Sequence, residues 1–156
     1  MDIRIRDWLF SVDVDATFAH TTQNAGDHCL CGYCRNYYDC VDIVHPQIRG
    51  FLSRFGAVPE GPSELMPFAP TLLLAAYRIT GTVVQGGESA LFAGDIPVTV
   101  EVSRDGTFLL WVGELELPWC QEEPVEDVVS PANTPEFLEH MQQVWYMRHG
   151  EVLDFS

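Results

Sequence analysis

The feature that most constrains the fold is a change of period along the chain. Ile96, Val98, Val100 and Val102 take every second position, with Pro97, Thr99, Glu101 and Ser103 between them. Arg104-Asp105-Gly106 interrupts the pattern, and Phe108, Leu110 and Val112 resume it. Alternation puts successive side chains on opposite faces of a strand, so this stretch reads as a hairpin with one buried face. Leu115, Leu117 and Trp119 continue it, with Glu114 and Glu116 outward. Tyr77, Ile79 and Val83 form another strand. Trp8, Phe10, Val12 and Val14 form a further one, with Ile3 and Ile5 in the opposite phase. That reversal places a turn or bulge near Arg6-Asp7.

Between these strands the period lengthens. Tyr37, Val41, Val44, Ile48, Phe51 and Phe55 are spaced 4, 3, 4, 3 and 4 residues apart. This is the apolar stripe of a helix. Pro46 breaks it near His45, and Gly56 suits a left-handed helix end. Residues 21–28 read as a loop, and residues 57–71, with four prolines, as irregular. Thr134-Pro135-Glu136 starts a last helix that Gly150 ends. The pattern predicts a single α+β domain over residues 1–156, a mainly antiparallel sheet with helices packed on one side. Hydrophobic residues make up 47% of the 156, enough for a core.

Charge narrows the function. The chain has 8 basic and 23 acidic residues, a net charge of −15, and every basic residue is an arginine. Without lysine there is no Schiff-base lysine and no phosphate-loop lysine. Nucleic acid and anionic membranes both need a basic surface, so neither is an expected partner. Residues 1–56 carry a net −2, and the acidic second half, residues 57–156, a net −13. The N-terminal residues alternate charged and apolar side chains and lack a signal-peptide run. The apolar run from Leu65 to Tyr77 is short and broken by Pro67 and Pro70, unlike a membrane span. A cytoplasmic location is the expectation.

The sharpest chemical feature is a Cys-rich corner over residues 28–40, with Cys29, Cys31, Cys34 and Cys40; Cys120 is the fifth cysteine. Three readings stay open. Cys29, Cys31 and Cys34 are candidate zinc ligands, with His28, His20, His45 or Cys120 as the fourth. Cys40 is excluded from that set: six residues of helix rotate it roughly 120° off the face of Cys34. Alternatively, Cys31-Gly32-Tyr33-Cys34 at a helix start looks like the thioredoxin-type dithiol, in which a helix N-terminus and Arg35 would lower a thiol pKa. Leu30 stands where that type has tryptophan, and no parallel strand–helix–strand unit precedes the motif. In the third reading the cysteines pack as small hydrophobes.

Cys29, Cys31, Cys34, Arg35, Asn36 and Tyr37 spell C-x-C-x-x-C-R-N-aromatic. In this the chain resembles a family of small bacterial proteins of unassigned activity. Pro46-Gln47-Ile48, Phe51-Leu52, Phe55-Gly56, Glu64 and Leu117-Pro118-Trp119 extend the resemblance over roughly residues 3–120. It implies a shared fold and a shared Cys-Arg-Asn corner, with Arg35 and Asn36 supporting a site or tying down the cysteine loop.

No complete catalytic constellation accompanies these residues. The histidines form no metal-binding pair, Ser63 and Ser89 lie in no nucleophile elbow, and Gly86-Gly87 opens no phosphate-binding helix. Glu122, Glu123, Glu126 and Asp127 lack calcium-loop spacing. The leading expectation is therefore a non-enzymatic, protein-binding domain whose acidic half meets a basic partner, as an immunity protein meets a cationic toxin. The alternatives are the zinc-binding protein and the thiol–disulfide redox protein.

Overall fold

A computed structural model describes residues 1–26, 32–69, 72–103 and 105–122. The helix read from Thr134 to Gly150 lies outside these described residues, as do His28, Cys29 and Cys31. The described chain runs β1 (Asp2–Ile5), β2 (Trp8–Val12), α1 (Val14–Gly26), α2 (Gly32–Val44), α3 (Gln47–Ser53), β3 (Glu64–Ala69), β4 (Leu72–Gln85), β5 (Leu91–Ala93), β6 (Ile96–Val102) and β7 (Thr107–Glu116). All strand pairs are antiparallel, in the order β1-β2-β4-β7-β6-β5, with β3 also on β4. The α+β architecture is as the periodicity predicts.

The phase reversals have simple causes. Ile5 pairs Trp8 across the two-residue turn Arg6-Asp7, and Arg6 has positive φ. In β7, Ala75 pairs Val112 but Leu73 pairs Leu115, so β7 carries one residue more than β4 there. This bulge rotates Leu115 and Leu117 onto the face that Phe108, Leu110 and Val112 already occupy. Both sets are buried in one core with Leu73, Ala75, Tyr77 and Ile79 of β4. Helices α2 and α3 cover that face with Tyr37, Val41, Ile48, Phe51 and Leu52, joined by Phe55 just beyond α3. The opposite face holds a smaller buried cluster of Met66, Leu74, Ala76 and Trp111. The helical stripe breaks at Pro46, and Gly56 has φ of 86°, both as read from the sequence.

Two readings are corrected. Residues 21–26 are helical, the second half of α1, and not loop. The Asp13 carboxylate caps the helix by accepting from Ala16 N at 3.0 Å. The buried side chains of α1 are Thr17 and Thr21, so no apolar stripe announces it. Thr17 Oγ1 accepts from Thr80 N at 3.0 Å. This matters because β4 pairs with β3 over Leu72–Ala76 and with β2 over Gly81–Gln85, along the same edge. Helix α1 lies beside the gap between those two strands, where Thr17 satisfies the Thr80 N–H and Asp13 N, just before the helix, donates to the Thr80 carbonyl. Residues 64–69, within the segment read as irregular, form strand β3 despite Pro67. Pro67 is tolerated because β3 is an edge strand with a register irregularity between Pro67 and Ala69.

The loop after α3 is anchored from three sides. The Tyr37 and Tyr77 hydroxyls touch each other and both reach the Pro59 carbonyl, at 3.0 and 2.8 Å. Arg49 binds Asp42 and Glu60. Gly61 lies against α1 so closely that a Cβ would sit 1.9 Å from the Thr21 carbonyl oxygen. Among the described residues no helix is long and apolar enough to cross a membrane.

Candidate functional site at the cysteine corner

Helix α2 begins at Gly32, earlier than the apolar stripe alone suggests, and so lifts Cys34, Arg35 and Asn36 onto its first turns. Residues 116–121, running off the end of β7, lie along this helix as a strap. Tyr33 meets Trp119 edge-to-face at 5.7 Å. Asp39 accepts from Gln121 Nε2 at 2.8 Å. His45 Nε2 donates to the Glu116 carbonyl at 2.7 Å.

Asn36 is the centre of this arrangement. It is only 2% exposed. Its Nδ2 donates to the Pro118 carbonyl at 2.9 Å, and its Oδ1 accepts from Cys120 N at 2.8 Å. A side-chain amide has one donor end and one acceptor end. Here it pairs with a strap carbonyl and a strap N–H as a neighbouring strand would. Cys40, one helical turn further on, points its thiol at the same Oδ1 at 3.7 Å. The Cys40 and Cys120 sulfurs are 2.8 Å apart. Cys40 is buried and Cys120 exposed. Burial first, and then the neighbouring Cys120 thiol, push the Cys40 thiol up to about 12.

The sequence-derived site residues therefore divide. Asn36 fastens the strap at Pro118 and Cys120 by its side chain, a role different from both the site support and the tying of the cysteine loop expected of the Arg-Asn pair. Arg35 is exposed on the first turns of α2, and Cys34 is half-buried there. Cys120 joins Cys40, the cysteine set aside from the zinc set, and the 120° rotation that separates Cys40 from Cys34 is what turns it toward the strap. His45 is engaged with Glu116, and His20 lies on α1 beside Asn24, Nε2 to Nδ2 3.3 Å. Among the described residues no three His, Cys, Asp or Glu side chains gather around a point that would hold a metal ion. The Cys40–Cys120 pair was missed because 80 residues separate its members and no local spacing encodes it.

A second surface lies beside the strap. Ile43, near the end of α2, is 81% exposed, and Val44 next to it is also exposed. Asp39 and Asp42 on the same helix and Glu116 and Glu122 on the strap are all exposed. Comparison of the chain with protein-family models, with curated proteins and with solved structures finds no match.

Proposed function

We propose that this chain is a non-catalytic binding domain whose partner is a basic protein, and that the outer face of α2 with its strap is the contact surface. The observation that carries the reading is Ile43, a large apolar side chain 81% exposed within a set of carboxylates. Apolar anchors surrounded by charge are how binding surfaces combine affinity with steered association. The charge balance supports the same reading. Arg49 is held by Asp42 and Glu60, and Arg78 by Asp105, so both cations are engaged within the fold. An excess of exposed carboxylate remains for a cationic partner.

The test is association with a panel of cationic proteins at several salt concentrations. Binding weakens as salt rises, because exposed charges are screened over about 10 Å at 0.1 M. Ile43→Ser, or Asp39→Asn with Glu116→Gln, weakens it by about tenfold, roughly 1.4 kcal/mol. Asp2→Asn with Asp95→Asn, elsewhere on the surface, leaves it nearly unchanged. Salt-independent binding, or equal losses from both pairs, removes the proposal.

The zinc reading of Cys29, Cys31 and Cys34 keeps one supporting observation. Cys34 stands on the first turn of α2, and the C-x-x-C spacing it ends in the sequence is of the kind that brings two thiolates to one ion. Elemental analysis decides it: one bound zinc per chain supports the site, and five titratable thiols without zinc end it.

A further inference from the structure

The Cys40 and Cys120 thiols meet although 80 residues separate them, with their sulfurs 2.8 Å apart. Two thiolates sharing one tetrahedral zinc at about 2.3 Å lie about 3.8 Å from each other. The observed approach is too close for a shared ion and suits direct sulfur–sulfur chemistry. The two thiols are also unequal. Cys120 is exposed and open to reagents, whereas Cys40 is buried behind it. Asn36 holds the backbone on both sides of Trp119, at the Pro118 carbonyl and the Cys120 N–H, so the strap presents Cys120 to Cys40 in a set position. Burial keeps the Cys40 thiol protonated and unreactive toward solvent species.

We propose that Cys40 and Cys120 form a redox-sensing dithiol, which a low-molecular-weight disulfide of the glutathione type converts into an intramolecular disulfide. The Cys120 thiolate attacks one sulfur of the external disulfide. A Cys120–S–S–R bond forms, the external S–S bond breaks, and RS⁻ leaves and takes up a proton. Cys40 then loses its proton, and its sulfur attacks Cys120 Sγ, expelling the second RS⁻, which is protonated in turn. Two protein thiols are oxidised by two electrons, and one external disulfide is reduced to two thiols. An excess of external thiol reverses both steps. Oxidation converts the Asn36 hydrogen-bonded clasp between α2 and the strap into a covalent one, beside the acidic surface described above.

The lysine-free sequence makes the test clean. Trypsin cuts only after arginine here, leaving Cys40 as the sole cysteine of peptide 36–49 and Cys120 as the sole cysteine of 105–148. Cys29, Cys31 and Cys34 fall together in peptide 7–35. The full chain is reduced, desalted, incubated natively with oxidised glutathione, quenched, alkylated and digested. The expected product is 36–49 joined to 105–148, with both cysteines losing alkylation together and dithiothreitol restoring it. In Cys40→Ser, Cys120 stops as the glutathione mixed disulfide. In Cys120→Ser, Cys40 stays a thiol. Persistence of the mixed disulfide on Cys120 of the unsubstituted chain overturns the proposal, as does linkage of Cys120 to 7–35. Modification of Cys40 in Cys120→Ser does the same. If either variant fails to fold, the peptide map of the unsubstituted chain decides alone.

Discussion

Replacing Asn36 by alanine tests the clasp directly. The change removes two hydrogen bonds to the strap, Nδ2 to the Pro118 carbonyl at 2.9 Å and Cys120 N to Oδ1 at 2.8 Å, besides the weak Cys40 thiol contact to Oδ1. Each is worth about 1 kcal/mol net. The Cys120 N–H also loses its partner in a partly buried place, which adds a fraction of a further kcal/mol. Against this, alanine is the better helix former by about 0.6 kcal/mol. The net expectation is a loss of about 2 kcal/mol, read as a lower urea midpoint at constant m-value. Trp119 sits on the strap, so its fluorescence reports the local opening that precedes global unfolding. Asn36→Asp supplies a second signature. It keeps the acceptor for Cys120 N but turns an anion toward the Pro118 carbonyl. Its deficit relative to the parent chain should therefore shrink in acid, where a protonated carboxyl donates again. An Asn36→Ala chain as stable as the parent, or an Asn36→Asp deficit that does not narrow in acid, would refute the assignment.

Other consequences follow from the same packing. Gly61→Ala puts a methyl 1.9 Å from the Thr21 carbonyl, with backbone on both sides, and should cost about 1–3 kcal/mol in thermal or urea unfolding. Thr17→Val preserves shape but removes the acceptor for Thr80 N, for a loss of about 1–3 kcal/mol; Thr17→Ser should recover most of it. Stability should also fall in alkali. Burial raises the folded pKa of Tyr37, Tyr77 and Cys40 above their unfolded values. Raised pKa values stabilise the fold fully below the unfolded ones, about 8.5 for cysteine and 10 for tyrosine, and the gain is lost as pH rises beyond them. The tyrosinate absorbance of Tyr37 and Tyr77 should then appear only together with unfolding.

How much of this was legible beforehand depends on the range of the interaction. Strand alternation at 96–112, the Pro46 break, the Gly56 cap and the turn at Arg6-Asp7 are local, since each depends on residues within a few positions of one another. Helix α1 escaped because its buried face is threonine, whose value lies in a hydrogen bond to a strand more than 60 residues away. Strand β3 escaped because proline argues against a strand unless that strand is an edge, and edge position is a property of the assembled sheet. The cysteine corner divides along the same line. That Cys40 must leave the face of Cys34 follows from helix geometry alone. That it faces Cys120 does not.

From the sequence by itself come the α+β class, the lysine-free acidic character, the exclusion of lysine chemistry and the clustering of thiols. These depend on composition and short-range period. The tertiary structure decided which thiols meet and what Asn36 holds. It also decided that Ile43, part of a run of charged and apolar residues, stands in solvent. Hydrogen bonds and sulfur contacts act over a few ångströms of space, and folding alone brings residue 120 back beside residues 36 and 40.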